Sequence, residues 1–237
     1  AIYRNIEDRS TRERGIQTMM KIASCLPREI RRTPQLTLSL VGAEERERER
    51  AHIHSINVAL LSGYIAQKVF PVSPAFVEAC IVGGIFHDIG KAFFPENAWE
   101  KKEKIVPGES RVLKFHPLLG DTLLKDTGVL NPHVLGAVRS HHEKWGGAGV
   151  PDRLCGESIP MSARIVAVAN AFENLTNQLF QGDLRRSDQA ISMVIGLTAS
   201  DFDSRIVRAL LSAIGLYPPG TVVLLSDQRL GIVLETK

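Results

Sequence analysis

Along most of this chain, apolar positions recur three or four residues apart, which is the period of an α-helix. Over residues 3–22 they alternate with charged residues, as in an amphipathic helix. Pro27 and Pro34 then predict a break over residues 26–41, which we interpret as a linker. A second long helix is expected over about 44–70, and its opening run of mixed charges is typical of a solvated face.

The later part of the chain predicts shorter helices separated by turn residues. The expected ranges are about 74–87 behind the N-cap Ser73, 116–125, 132 to the pair His141-His142, 161–177, 187–197 and 203–214. Two short β-like runs at 221–225 and 231–234 follow a Pro-Pro-Gly turn and predict a hairpin. The pattern as a whole indicates a mainly α fold with a small C-terminal β-hairpin.

The composition limits the classes of function. The chain has 237 residues, enough for a large core, and its 44% hydrophobic and 23% charged residues are typical of a globular domain. A net charge of +3 gives no polybasic signature, so no nucleic acid polymer is expected as a partner. No apolar run approaches the roughly 20 residues of a membrane span. Three separated cysteines without a CxxC spacing indicate a reduced, cytoplasmic setting.

The chain begins at Ala1 without a methionine, which we interpret as a fragment of a longer protein. We therefore expect residues 1–43 to be an N-terminal helix and linker at the end of an upstream region. Residues 44–237 are expected to form one domain, with 217–237 as its hairpin tail. The side chains expected to fill the core between its helices are Val58, Ile81, Ile85, Leu118, Leu123, Val138, Ile165, Val168 and Phe172.

The first candidate for chemistry is the His87-Asp88 pair at the end of the predicted helix 74–87. Asp88 offers two oxygens and can bridge two cations, while imidazole beside carboxylate suits iron, manganese, zinc or nickel. Lys91 follows His87 by one helical turn, where its ammonium can meet a phosphate oxygen. A single His-Asp pair is weak evidence, so the remaining histidines decide whether a metal site is indicated.

Five of the seven histidines have a place in one site. They lie at or near predicted helix ends or on apolar faces, where a bundle brings side chains together, and they are His54, His87, His116, His141 and His142. Adjacent residues of a helix point about 100° apart, so His141 and His142 can contact different parts of one cluster. His52 and His133 are interpreted as ordinary polar side chains.

In this order, the motifs resemble the HD-GYP subgroup of the HD phosphohydrolase superfamily over about residues 50–237. The segments that carry the resemblance are HSINV at 54–58, HDIGK at 87–91, HP at 116–117, HHEKWGGAGVP at 141–151, RIVAVANAFENLT at 164–176 and YPPGTVVLLSD at 217–227. The resemblance implies an HD-domain helical bundle around two, sometimes three, divalent metal ions. Iron or manganese is the first expectation, with zinc, nickel or magnesium as alternatives. It also implies hydrolysis of cyclic di-GMP as the output of a bacterial signalling protein.

The resemblance also assigns roles to individual residues. One metal ion would be held by His54, His87, Asp88 and Asn170, and the other by Asp88, His116, His141 and His142. Asp88 and Lys91 would take the catalytic roles, with Lys91 on the scissile phosphate, and Lys144, Trp145 and Arg185 are further candidates for substrate contact. Two adjacent cations lower the pKa of a bridging water and neutralise charge on a phosphodiester, so no protein nucleophile is needed.

Several departures from the family pattern bear on activity. The family aspartate is Asn170 here, and its neutral amide oxygen should weaken the first metal site. The family's Asp-Gly-x-Gly-Tyr-Pro reads GGAGVP at 146–151, and its Arg-Pro-Tyr-Arg stretch reads LFQG at 179–182, with Arg185 downstream as a candidate substitute. Arg50 stands where a third metal needs a glutamate, so a two-metal site is expected.

Two main hypotheses follow. The first is a metal-dependent phosphohydrolase of the HD-GYP type, a cyclic di-GMP phosphodiesterase of reduced or altered activity. The alternative is a catalytically impaired signalling module that binds metal and nucleotide or a partner protein, and hydrolysis of another nucleotide or a phosphomonoester is a third, weaker idea. The expected partners are a cyclic dinucleotide or other phosphorylated small molecule, a GGDEF-type or other signalling protein, and a second copy of the chain.

Glu143 either orients a ligand histidine or is an ordinary helix-end carboxylate.

Overall fold

The computed structural model describes residues 9–32, 50–69, 73–94, 110–177, 187–214 and 222–233. The helices in these ranges are α1 (Arg9–Arg32), α2 (Arg50–Lys68), α3 (Pro74–Phe86), α4 (Ser110–Asp126), α5 (Pro132–Ser140), α6 (Met161–Asn177), α7 (Ser187–Gly196) and α8 (Ser204–Ile214). Short 3₁₀ turns follow α3 at Ile89–Phe93 and precede α6 at Gly156–Ser158. Strands β1 (Val222–Leu224) and β2 (Leu230–Ile232) pair antiparallel, with Val223 opposite Gly231. The predicted mainly α fold with a small C-terminal hairpin is therefore confirmed.

Helix α3 is the centre of the bundle, because its residues are apolar nearly all round and its neighbours α1, α2, α5 and α6 cover it. Ser73 begins the helix as predicted, accepting a hydrogen bond from the N–H of Phe76 at 3.2 Å. Gly84 allows α2 to come close, since a Cβ there would lie 2.7 Å from the Cα of Ala59. The helix ends at Phe86, and the His87-Asp88 pair that follows is buried.

The predicted core is largely confirmed. Seven of the nine side chains named from the sequence are buried, namely Val58, Ile81, Leu123, Val138, Ile165, Val168 and Phe172. Ile85 and Leu118 are half-buried. Helix α1 adds Ile16, Ala23 and Ile30 to the same core, one residue from every second turn. The proposed division at residue 43 stays a prediction, and residues 33–49 lie outside the described ranges.

Two predicted helix boundaries are wrong, and a proline is the reason in each. Helix α1 continues through Pro27 to Arg32, and α4 begins at Ser110, so that Pro117 lies inside it. A proline inside a helix removes one backbone hydrogen bond and costs about 3 kcal/mol in isolation. Both prolines are buried, so packing offsets that cost. Of the predicted break over 26–41, residues 33–41 lie outside the described ranges.

The length and apolar character of the same helices bear on membrane insertion. Among the described ranges, none of them combines the length and apolar character needed to traverse a bilayer.

Candidate metal centre

Five histidines and one aspartate meet inside the bundle. His54 comes from α2 and His116 from α4, while His87-Asp88 and His141-His142 directly follow α3 and α5. Their candidate ligand atoms form two groups, and within each group all atoms lie within 4.8 Å of one another. The groups are His54, His87 and Asp88 (the first group), and Asp88, His116, His141 and His142 (the second group). His52 and His133 are exposed and belong to neither group.

Asp88 belongs to both groups, and its two oxygens face different histidines. Oδ2 lies 3.3 Å from His87 Nε2 and 3.8 Å from His54 Nε2. Oδ1 lies 3.2 Å from His116 Nε2 and 3.9 Å from His141 Nε2. A carboxylate placed in this way can share two cations, one on each oxygen.

The distances between ring nitrogens fit joint ligation. The Nε2 atoms of His54 and His87 lie 3.2 Å apart, and so do those of His116 and His141. Two ligands bonded at about 2.1 Å to one ion and at right angles to each other are separated by about 3.0 Å. The pairs therefore match ligands on a common ion.

Two buried polar atoms of the cluster lack a hydrogen-bond partner in the described part of the chain, Asp88 Oδ1 and His142 Nε2. Leaving such an atom unsatisfied costs about 1–3 kcal/mol, more for a charged group. A divalent cation between them would satisfy both a carboxylate oxygen and an imidazole lone pair. The residues present thus fit the metal that an HD-type site implies.

Main-chain carbonyls set the orientation of two of the rings. His87 Nδ1 donates to Gly84 O at 2.8 Å, and His141 Nδ1 donates to Val138 O at 2.9 Å. Because a carbonyl only accepts, each Nδ1 carries the proton and each Nε2 presents its lone pair to the cluster. Both rings thus have the tautomer that binds metal through Nε2.

Burial has the largest effect on the pKa values of two histidines in the second group. It lowers the pKa of His141 well below 6.5 and that of His142 to about 3, and the neighbouring histidines act in the same direction. Burial opposes ionisation of Asp88, but its electrostatic interactions with His87 and Lys91, and the close approach of His116, outweigh it and hold the pKa of Asp88 well below 3.8. Neutral imidazoles and an ionised carboxylate are the forms that bind metal.

His54 has a carboxylate partner that sequence reasoning missed. Its Nδ1 donates to Glu173 Oε2, and Glu173 Oε1 accepts from Asn57 Nδ2 at 3.3 Å. Burial opposes protonation of His54, but the hydrogen bond and the charge of Glu173 outweigh it and raise the pKa of His54. Glu173 follows Asn170 by three residues on α6, and this spacing on one helical face was the available signal.

Asn170 is buried on α6. Its Oδ1 accepts a hydrogen bond from Asn174 Nδ2 at 2.7 Å. An amide oxygen has a second lone pair, so this bond leaves one site for a cation. The role of Asn170 as a metal ligand stays a prediction.

The residues predicted to contact substrate have varied surroundings. Lys91 Nζ donates to Asp88 Oδ2, and its side chain is 25% exposed, so the ammonium reaches both the metal centre and solvent. Lys144 pairs with Asp201 at 2.6 Å. The Trp145 ring lies under two guanidinium groups, with the Arg164 and Arg205 Cζ atoms 5.6 and 5.9 Å from its centre. Arg185 lies outside the described residues. The substrate roles of these side chains stay predictions.

Glu143 has a role that neither sequence alternative described. Its side chain is buried and binds backbone, since Oε1 accepts from the N–H of Asp152 at 2.6 Å and Oε2 from that of Leu154 at 3.0 Å. The N–H of Val150 donates to His142 O at 3.1 Å. These bonds fasten the glycine-rich loop 146–154 onto the end of α5, next to the His141-His142 pair.

Comparison with known proteins agrees with this geometry. A cyclic di-GMP phosphodiesterase of Pseudomonas aeruginosa is 31% identical over 204 residues, which are 86% of this chain and 49% of that protein. A cyclic di-GMP phosphodiesterase response regulator of Xanthomonas campestris is 34% identical over 154 residues, 64% of this chain and 40% of that protein. The chain thus spans about half the length, or less, of these relatives.

A solved structure has the same fold. An HDG"Y"P protein from Bdellovibrio bacteriovorus superposes with a TM-score of 0.72 at 19% identity, covering 89% of this chain and 66% of that one. The profile of a family described as HD domain matches residues 19–206, a range that contains every residue of both metal groups. The chain therefore belongs to the HD domain family.

Proposed function

We propose that this chain is a metal-dependent phosphohydrolase that cleaves a phosphodiester bond of a cyclic dinucleotide, with cyclic di-GMP as the first candidate substrate. The observation that carries the proposal is the position of Asp88, whose two oxygens each face a separate pair of histidines. Relatives named as cyclic di-GMP phosphodiesterases support the choice of substrate.

Each residue of the site would have a separate role in such a reaction. Two divalent ions, iron or manganese first and zinc, nickel or magnesium as alternatives, would activate a water and neutralise developing phosphate charge. Asp88 would be a ligand to both ions, and the histidines would bind them through Nε2. Lys91 would bind a non-bridging phosphate oxygen, since its ammonium is part-exposed beside Asp88. Asn170 would complete the first site as a neutral and therefore weaker ligand.

Further contacts with the nucleotide belong to the same proposal. Lys144, Trp145 and Arg185 are the candidate substrate contacts, although Lys144 and Trp145 already have protein partners. A GGDEF-type or other signalling protein, a homodimer and a cytoplasmic setting stay predictions.

A second candidate function is a catalytically impaired signalling module that binds metal and nucleotide or a partner protein. It is favoured by the uncharged Asn170-Asn174 pair, which occupies the place of the family aspartate. The changed 146–151 loop and the missing Arg-Pro-Tyr-Arg stretch point in the same direction.

The test combines elemental analysis with a hydrolysis assay. Protein purified without added metal is analysed for bound ions, then assayed with cyclic di-GMP and with 3′3′-cGAMP in the presence of Mn²⁺ or Fe²⁺. We expect two ions per chain, turnover of cyclic di-GMP, and its loss in His116→Ala. The matched control is His133→Ala, which removes an exposed histidine outside both groups and should keep turnover.

Two outcomes would contradict the enzyme. Undiminished turnover in His116→Ala would exclude catalysis at this centre. Metal binding without turnover in both the wild type and Asn170→Asp would favour the signalling module. In that case, restoring the family carboxylate at position 170 would not restore hydrolysis.

A further inference from the structure

We propose that Glu173 is a positioning residue of the first metal group, whose carboxylate orients His54 and supplies negative charge that Asn170 lacks. The inference rests on the proposed function, since it concerns the same metal centre. Glu173 belongs to neither group of candidate ligands, and its carboxylate meets His54 on the side of the ring away from the other ligand atoms.

The contact determines which nitrogen of His54 carries the proton and which one offers its lone pair to the site. Glu173 is 2% exposed, and its ionised carboxylate only accepts hydrogen bonds, so His54 Nδ1 carries the proton. The lone pair is then on Nε2, which lies 3.2 Å from His87 Nε2 and 3.8 Å from Asp88 Oδ2. Without the carboxylate, His54 could present a protonated Nε2 to the site, and that nitrogen cannot bind a cation.

The partner of His54 differs in kind from that of His87. His87 Nδ1 donates to a neutral main-chain carbonyl, that of Gly84, whereas His54 Nδ1 donates to a carboxylate. A carboxylate behind a metal-binding imidazole makes the ring more basic and strengthens its bond to the ion. The first group therefore has one ligand ring with charged support.

Charge explains why this support matters in the first group. The only carboxylate among its candidate ligands is Asp88, and Asp88 Oδ1 faces the second group. Asn170, in the place of the family aspartate, adds no charge. Glu173 adds a negative charge that acts on the ion through the His54 ring, and this charge partly compensates for the neutral amide of Asn170.

Glutamine at position 173 separates charge from shape. Its amide oxygen can still accept from His54 Nδ1, and its NH₂ can donate to Asn57 once the Asn57 amide is flipped. Glu173→Gln therefore keeps the volume and both hydrogen bonds but removes the charge. Glu173→Asp makes the opposite change, since it keeps the charge and shortens the reach to His54.

The experiment is a calorimetric titration of metal-stripped protein with Mn²⁺, followed by elemental analysis after dialysis. We expect wild type to bind two ions, and Glu173→Gln to bind the weaker one about 10–100-fold less tightly, as is typical when such a supporting partner is lost. Glu173→Asp should lose less. In Glu173→Gln with Asn170→Asp, the charge returns at the ligand itself, and the affinity should recover.

The matched control is Asp121→Asn, which also turns a buried carboxylate into an amide. Asp121 is held by Lys125 and Arg139 and belongs to neither metal group, so both affinities should stay unchanged. Equal affinities in Glu173→Gln and wild type would overturn the inference while leaving the proposed function intact. A loss that Asn170→Asp does not restore would also overturn it, because the role of Glu173 would then be structural. A wild type that binds no Mn²⁺ would instead overturn the proposed function.

Discussion

Gly90 lies where the chain after Asp88 crosses α4, and adding a single methyl group there should damage both stability and the metal centre. A Cβ at position 90 would lie 1.9 Å from His116 O and 2.7 Å from Gly120 N. Both neighbours are main-chain atoms, so no side-chain rotation relieves the overlap. Gly90 does not have a positive φ, and the effect of Gly90→Ala therefore comes from close approach alone.

The magnitude follows from the geometry. Ordinary contact begins at 3.4 Å, so separating the new Cβ from His116 O at 1.9 Å requires a shift of about 1.5 Å. Forced overpacking costs about 1–3 kcal/mol, and a clash between two backbones belongs at the upper end of that range. The same shift would carry His116 away from Asp88 Oδ1, which it faces at 3.2 Å, and would open the second group.

Urea unfolding and elemental analysis measure the two effects together. For Gly90→Ala we expect a loss of about 3 kcal/mol in the free energy of unfolding, and fewer bound ions per chain. The control is Gly196→Ala at the end of α7, where a Cβ meets nothing within 4 Å and a change of about 1 kcal/mol or less, in the stabilising direction, is expected. A Gly90→Ala protein with wild-type stability and metal content would refute the reasoning.

Two further predictions concern buried carboxylates. Burial opposes ionisation of Asp203, but hydrogen bonds from Arg205 and Arg164 outweigh that effect and lower the pKa of Asp203 below 3.8. The ionised carboxylate therefore stabilises the native state fully above pH 3.8, and this stabilisation is lost as the pH falls through the lowered pKa. Asp203→Asn should thus cost about 1.5–3 kcal/mol at pH 7, and urea unfolding should show the difference from wild type shrinking towards pH 3. Glu143→Gln replaces one of the two acceptors for loop N–H groups with a donor, so hydrogen exchange at Asp152 or at Leu154 should accelerate. Unchanged protection at both would show that the loop is held by other contacts.

Much of the fold was predictable because apolar residues recur at the helical period in most of its helices, and because one of them follows a recognisable cap. Helix α3 begins at its Ser73 cap, and α6 matches its predicted range. The cluster was predictable for the same reason, since the His-Asp and His-His pairs stand directly after helices, where a bundle concentrates side chains. What the pattern does not contain is the tertiary packing that keeps a proline inside a helix. Pro117, beside a fully buried His116, is such a case.

The partners of the cluster were harder to predict than its members. Glu173 lies 119 residues from His54, and only the packing of α2 against α6 brings them together. Glu143 was recognised as a candidate, but its backbone partners lie 9 and 11 residues further along, in a loop with no regular period. Periodicity predicts which face of a helix is buried, and it does not predict which polar group a distant loop or helix will meet there.

The rings of the cluster differ in how much of the chain must assemble to orient them. His87 and His141 are held by carbonyls three residues earlier, so their orientation is set as soon as α3 and α5 form. His54 is held by Glu173 only once α2 and α6 have docked. Local contacts form quickly during folding, and contacts across such a long separation form late. An ion in the first group would therefore bind the assembled chain, and its binding free energy would stabilise the native state by joining α2 to the residues that follow α3.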